Sequence, residues 1–158
     1  MTEDYLQIMI ESLEKKNRVL DKVLDLEKRQ LALAMQQPPD LKAYDASMEE
    51  KGTLIEELGR LDDGFTNTYE FVRDEVQANP EKYEEQVQAM QELIRTAVEK
   101  GVSIEAQEQR NKQAMKTMLS TRRTEIRQMR VSTSAASKYY KAMSQINNVD
   151  PQLMDRKN

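Results

Sequence analysis

Apolar side chains recur at steps of three and four residues along most of this chain, and this spacing limits the fold more than any other feature. Leu6, Ile10 and Leu13, followed by Leu20 and Leu24, are one example. Such spacing keeps one stripe of a helix facing a neighbour. Nothing in the sequence indicates an array of strands. The chain is therefore expected to be all-α, with long helices that meet along narrow seams.

The composition favours an elongated shape over a wide globular core. Of the 158 residues, 38% are apolar and 33% are charged, with two Phe and no Trp. A chain with so few large apolar side chains cannot fill a broad interior. A single helical domain is expected.

Two proline-containing breaks divide the helical pattern into three segments. Pro38 and Pro39 in QQPPD end the first helix, and Asp40 is placed to cap the second. In QANPE, Asn79 is placed to cap the third helix, with Pro80 at its first position. Short connections make successive helices antiparallel, which predicts an elongated antiparallel three-helix bundle with coiled-coil packing. The predicted ranges are 3–36, 41–78 and 80–130 for the helices, 1–130 for the bundle and 131–158 for a partner-binding tail.

Two glycines are predicted to face each other across the second turn. Reflecting positions about residue 79 or 80 places Gly101 nearly opposite Gly59. One hypothesis is that the second and third helices approach closely there. The alternative is that Gly101 kinks or interrupts the third helix.

The third helix is expected to extend beyond the other two. The same reflection places residue 119 beside Asp40, so a helix that reaches residue 130 would overhang by about 15 to 20 Å. This end carries Arg122, Arg127, Ile126 and other basic and apolar residues. A basic amphipathic end of this kind is expected to be covered, either by the tail of this chain or by a partner.

Charge is divided unevenly along the chain. Residues 1–109 carry 13 basic and 25 acidic side chains, whereas residues 110–158 carry 11 basic and 3 acidic ones. This asymmetry fits a partner of opposite charge, or two ends that complement each other in a homodimer. Both interpretations remain open on the sequence alone.

Catalysis has little support in the sequence. The chain has no His and no Cys, which removes the usual proton-transfer residue and all thiol chemistry. The carboxylates of EEKGTLIEELGRLDD are interpreted as solvated helix faces, and no nucleotide-binding or nucleophile motif occurs. We therefore expect no enzyme, no cofactor and no metal site.

The absence of a transmembrane run, of a signal peptide and of cysteine predicts a cytoplasmic protein that does not insert into membranes. The basic stretch RNKQAMKTMLSTRRTEIRQMR could bind phosphates, but it lacks stacking aromatics and base-reading residues. Nucleic-acid binding is therefore only a weak alternative.

Methionines and tyrosines near the end of the chain point to a protein partner. Five of the ten methionines lie in the last 44 residues, and Tyr and Met are enriched in protein interfaces. Core packing is the alternative for Met115 and Met118, and it is favoured when these two are taken alone. The tyrosine pair is expected to lie outside the core, so that replacing it with alanine would leave the helical melt nearly unchanged. The predicted partner-binding residues are Met115, Met118, Leu119, Arg122, Ile126, Met129, Tyr139, Tyr140 and Met143.

Two stretches of the chain have distinctive patterns. Residues 49–76 contain K-x2-LI-x2-L-x2-LDxGF, carried by Lys51, Leu54, Ile55, Leu58, Leu61, Asp62, Gly64 and Phe65. Residues 138–158 contain the tyrosine pair followed by Val149-Asp150-Pro151 and Met154-Asp155. Together these stretches resemble the FlgN-type flagellar export chaperones.

The resemblance implies a soluble cytoplasmic helper of flagellar type III secretion. Members of the family bind the hook-filament junction proteins FlgK and FlgL, prevent their premature association and deliver them to the export gate, using the C-terminal region to contact cargo. A sister family, FliT, serves the filament cap protein. For this chain the resemblance places cargo contact in residues 115–143. The alternatives are a structural coiled-coil adaptor that dimerises and the weak nucleic-acid binder.

Overall fold

The computed structural model describes residues 1–36, 38–119, 137–141 and 143 of the chain. It contains three long helices, α1 (Thr2–Met35), α2 (Leu41–Ala78) and α3 (Glu84–Leu119). Residues 137–141 and 143 are also helical and are called the C-terminal segment below. The prediction of an all-α fold with three packed helices is confirmed.

The first break has the predicted structure. α1 ends at Met35 and α2 begins at Leu41, close to the expected boundaries. The Asp40 side chain accepts a hydrogen bond from the backbone N–H of Ala43 at 3.0 Å. Asp40 therefore satisfies one of the free donors at the start of α2.

The second break differs from the prediction, because α3 begins at Glu84 and not at residue 80. Asn79 ends α2 instead of capping α3, since its backbone and side-chain amides both donate to the Glu75 carbonyl at 3.1 Å. Residues 80–83 form a separate turn in which the Lys82 N–H bonds the Asn79 carbonyl at 3.2 Å. The expected end of the third helix near residue 130 lies outside the described residues.

α1 is the central helix. Its backbone lies close to those of both α2 and α3, whereas the backbones of α2 and α3 barely approach each other. Lys15 pairs with Glu57 and Arg29 with Glu50, so α1 and α2 run antiparallel. Asn17 contacts the Leu93 carbonyl and Asn111 contacts Glu27, so α1 and α3 run parallel. No helix within the described ranges has an apolar stretch long enough to cross a bilayer.

The core consists of three clusters along the bundle. The lower cluster lies near the α2–α3 turn, the middle cluster includes part of the C-terminal segment, and the upper cluster lies near the α1–α2 turn. Representative buried members are Leu6, Met9, Val72 and Met90 in the lower cluster, Leu20, Leu58, Ile104 and Tyr140 in the middle one, and Ala34, Tyr44 and Met115 in the upper one.

The predicted close approach of Gly59 and Gly101 is wrong, because the C-terminal segment lies between α2 and α3. A Cβ added to Gly101 would lie 2.8 Å from Met143 Cε. A Cβ added to Gly59 would have no described atom within 4 Å. α3 continues through Gly101 as one helix. The missing side chain therefore makes room for Met143 and does not allow two long helices to meet.

Candidate functional site

The C-terminal segment occupies a groove whose walls are α2 and α3 and whose floor is α1. Tyr140 is 1% exposed and Met143 2% exposed, and both belong to the middle cluster with Leu58 of α2 and Ile104 of α3. The exclusion of these two side chains from water helps to hold the segment in the groove. The middle of the bundle thus has the packing of four helical segments.

Among the described residues, two polar contacts hold the segment to opposite walls of the groove. The Ser137 hydroxyl donates to Glu108 Oε2 on α3 at 3.1 Å. The Tyr139 hydroxyl donates to Asp62 Oδ2 on α2 at 3.3 Å. Burial, and then the charge of Asp62, raises the pKa of Tyr139, so this phenol stays protonated and can donate.

Asp62 is a point at which three parts of the chain meet. Besides Tyr139, it contacts Lys16 of α1, whose Nζ lies 2.7 Å from Asp62 Oδ1. The Lys16 side chain is only 5% exposed and that of Asp62 15%. The sequence-based interpretation of Asp62 as part of a solvated face is therefore wrong, since its carboxylate is a partly buried ion-pair partner.

Tyr140 fits its site by shape but not by hydrogen bonding. Its ring is buried edge-on to that of Tyr139, with centroids 5.6 Å apart. Its hydroxyl is buried and has no hydrogen-bond partner among the described residues. Leaving such a group without a partner costs about 1–3 kcal/mol. The docked segment is consequently held less firmly than its buried area alone would indicate.

A buried ionic cluster lies at the edge of this groove, with Lys51 at its centre. Lys51 Nζ is 2.9 Å from Glu27 Oε1, 2.6 Å from Glu108 Oε1 and 3.1 Å from Gln30 Oε1. The Asn111 side chain donates to Glu27 Oε2 at 2.6 Å. Within the described ranges, no group of three or more carboxylates is arranged to hold a metal ion. In this cluster the ammonium group lies where both carboxylates converge.

The sequence contained a signal for this cluster that was not used. Glu27, Lys51, Glu108 and Asn111 occupy seam positions in the three- and four-residue pattern, where apolar residues are expected. Polar residues at seam positions are buried and must find partners. Their occurrence on three different helices indicated a shared polar layer.

The predicted partner-binding residues whose side chains the structure describes lie in two separate clusters. Met115 and Met118 lie in the upper cluster, 3% and 5% exposed, packed with Tyr44 of α2 and Ala34 of α1. They have the core role that was the alternative interpretation. Leu119 is the last residue of α3, and its side chain is not described. Arg122, Ile126 and Met129 lie outside the described residues.

The remaining three predicted residues, Tyr139, Tyr140 and Met143, lie together in the groove. Tyr140 and Met143 are buried and Tyr139 is half-buried. A partner can therefore reach Tyr140 and Met143 only after the C-terminal segment leaves the groove. Their partner-binding role stays a prediction.

Two apolar surfaces elsewhere are open to solvent, and the sequence reasoning identified neither. A groove of about 660 Å³ runs between the end of α1 and the start of α2. At the other end of these helices Phe71, 78% exposed, stacks on Tyr5 with ring centroids 6.0 Å apart. The groove is lined by Arg29, Ala32, Leu33, Met35, Gln36, Ala43, Ala46, Ser47 and Glu50.

Comparison of the chain with protein-family models, with curated proteins and with solved structures gives no match. The site is therefore interpreted from its own geometry and from the sequence resemblance.

Proposed function

We propose that this protein is a cytoplasmic, non-enzymatic export chaperone of the FlgN type. In this role it binds the hook-filament junction proteins, prevents their premature association and delivers them to the export gate of the flagellar secretion apparatus. It needs no cofactor, because the work consists of covering and releasing an apolar surface.

The observation that carries this proposal is that the two stretches of sequence resemblance are in contact. Asp62 of the first stretch accepts the hydrogen bond from Tyr139 of the second. Leu58 of the first packs in one cluster with Tyr140 and Met143 of the second. Two stretches that are far apart in sequence thus form one unit, as expected if both serve one binding function.

The proposed binding step begins when the C-terminal segment leaves its groove. Among the described residues, the polar anchors of the segment are Ser137 and Tyr139, and the Tyr140 hydroxyl has no partner. Its release exposes aromatic and methionine side chains, which suit an adaptable interface with a helical cargo. The free energy needed to undock the segment lowers the net cargo affinity, which favours later release of the cargo.

The test is direct binding of the full chain to purified hook-filament junction proteins and to the filament cap protein. We expect a complex of simple ratio with a junction protein, measured by calorimetry and by light scattering on a sizing column. Replacing both Tyr139 and Tyr140 with alanine is expected to weaken cargo binding at least tenfold. Phe71→Ala, a substitution at an exposed aromatic far from the groove, is the matched control and should bind like the wild type.

Failure to bind any of these proteins, or unchanged affinity of the double variant, would contradict the proposal. Assembly of the chain with itself alone would favour the adaptor, and salt-sensitive binding to DNA or RNA would favour the nucleic-acid alternative. The double variant is also expected to melt at a lower temperature, because Tyr140 is a core residue. This corrects the sequence-based expectation of an unchanged melt.

A further inference from the structure

Among the residues that the structure describes, the buried ionic cluster contains two carboxylates and one ammonium group. The side chains of Glu27, Glu108 and Lys51 are 0%, 2% and 3% exposed. With all three ionised, the cluster would hold one uncompensated negative charge away from water, which is strongly unfavourable. A proton held by one carboxyl group makes the cluster neutral.

Glu27 is the carboxyl group placed to hold that proton. Burial is the largest cause that raises the pKa of Glu27, to about 8. The positive charge of Lys51 lowers this pKa, whereas the charge of Glu108 and a hydrogen bond with it raise it. Near neutral pH Glu27 is therefore mostly protonated, and Lys51 neutralises Glu108.

Every element of the bundle presents a titratable group to Glu27. α2 contributes Lys51 and Tyr44, α3 contributes Glu108, and the C-terminal segment contributes Tyr140. Burial first, and then the charges of Glu27 and Glu108, raise the pKa of Tyr44 and of Tyr140. Both phenols therefore stay neutral over the range in which Glu27 titrates.

The C-terminal segment covers this cluster directly. Ser137 donates to Glu108 Oε2, the oxygen of that carboxylate not bonded to Lys51. Tyr140 is buried, and it lies near enough to Glu27 and Glu108 for their charges to raise the pKa of its hydroxyl. Removal of the segment would let water reach the carboxylates and solvate a second negative charge.

We propose that docking of the C-terminal segment is controlled by a proton on Glu27, so that the segment covers the cluster when Glu27 is neutral and is released as Glu27 ionises. This proposal concerns the isolated chain and does not depend on the proposed function. It assigns a role to the hydrogen bond between Ser137 of the segment and Glu108 of α3.

The direction of the pH dependence follows from proton linkage. The docked state keeps the pKa of Glu27 near 8, whereas hydration in the undocked state lowers this pKa towards the ordinary value of 4.5. The docked state thus binds more protons, and docking weakens as pH rises from the undocked pKa to about 8. Within that window docking changes by up to about tenfold per pH unit, and above it the change stops.

The absence of cysteine allows a simple measurement. Lys141 is exposed on the segment, so Lys141→Cys can carry a nitroxide label without disturbing the groove. Spectra recorded between pH 5.5 and 9 report how much of the label is immobilised by docking. We expect the ratio of docked to undocked label to fall at least tenfold up to about pH 8 and then to level off.

The decisive variant is Glu27→Gln in this labelled chain, because glutamine has the shape of the protonated acid and cannot ionise. It should stay docked with a flat profile, whereas Glu49→Gln, at an exposed position on α2, should keep the wild-type profile. A second variant, Glu108→Gln, leaves Glu27 as the carboxylate paired with Lys51 and should also give a flat pH profile. This variant provides the same test if Glu27→Gln folds poorly. A flat wild-type profile, or a wild-type profile in a folded Glu27→Gln or Glu108→Gln chain, would overturn the proposal.

Discussion

At the scale of single residues, the two adjacent tyrosines have different roles, although nothing in the sequence distinguishes them. Tyr139 uses its hydroxyl to bond Asp62, and its ring is half-buried. Tyr140 is fully buried, and its hydroxyl has no partner among the described residues. One phenol thus supports docking through its oxygen, and the other does so only through its ring.

Removing the hydroxyl group is therefore expected to change the free energy of unfolding in opposite directions at the two positions. Tyr140→Phe removes a buried hydroxyl that has no partner among the described residues, so we expect the free energy of unfolding to rise by about 1 kcal/mol. Tyr139→Phe removes a donor to a carboxylate and should lower stability by about 1 kcal/mol. Calorimetric melting should show shifts of about 2–4 °C in opposite directions for a chain of this size. Two shifts of the same sign would show that the hydroxyls are not distinguished as described.

At the scale of elements, glycine has different effects in α2 and in α3. Gly52 lies on the exposed side of α2, and an added Cβ would have no described atom within 4 Å. Gly101 is buried in α3, and an added Cβ would meet Met143 Cε at 2.8 Å. Gly52 therefore lowers the stability of α2 with no compensating contact in the described structure. Gly101 leaves space for the C-terminal segment.

This contrast predicts different outcomes for the same substitution. Gly52→Ala should raise the free energy of unfolding by about 0.5–1 kcal/mol through helix propensity alone. Gly101→Ala gains the same propensity but must move the end of the Met143 side chain, so its net gain should be smaller and the segment less firmly docked. Urea unfolding gives the first quantity, and the label on Lys141→Cys gives the second. Firmer docking in Gly101→Ala than in Gly52→Ala would contradict this account.

At the scale of the whole molecule, the ionic cluster joins parts of the chain that no local pattern connects. Lys51 of α2 binds Glu27 of α1 and Glu108 of α3, and Glu108 binds Ser137 of the C-terminal segment. A buried ion pair adds little net stability compared with an apolar replacement, but removal of one member is costly. The cluster therefore favours one alignment of the helices, since other registers leave a charge unpaired.

Lys51→Met tests this role. It should lower the free energy of unfolding by about 3–5 kcal/mol at neutral pH, because Glu108 stays buried without a cation. Adding Glu27→Gln and Glu108→Gln to Lys51→Met should recover much of that loss, since no charge then remains to be paired. Urea unfolding followed by circular dichroism measures both changes. A loss below about 1 kcal/mol for Lys51→Met would contradict the assigned role.

The three long helices and most of their described ends followed from the sequence alone. Apolar spacing, the prolines at 38 and 39 and the Asp40 cap act within a few residues, so they can be recognised without the fold. The start of α3 was misjudged because Asn79 can bond either helix, and only the buried Tyr83 with its bond to Glu75 marks the intervening turn.

Tertiary structure alone decided which helix is central, what lies between α2 and α3, and which polar seam residues meet. Tyr139 is 77 positions from Asp62, and Asn111 is 84 positions from Glu27. Contacts at such separations depend on the shape of the assembled groove and on the pairing of buried charges. Local spacing specifies each helix, but only the packed molecule specifies the partners that its polar residues find.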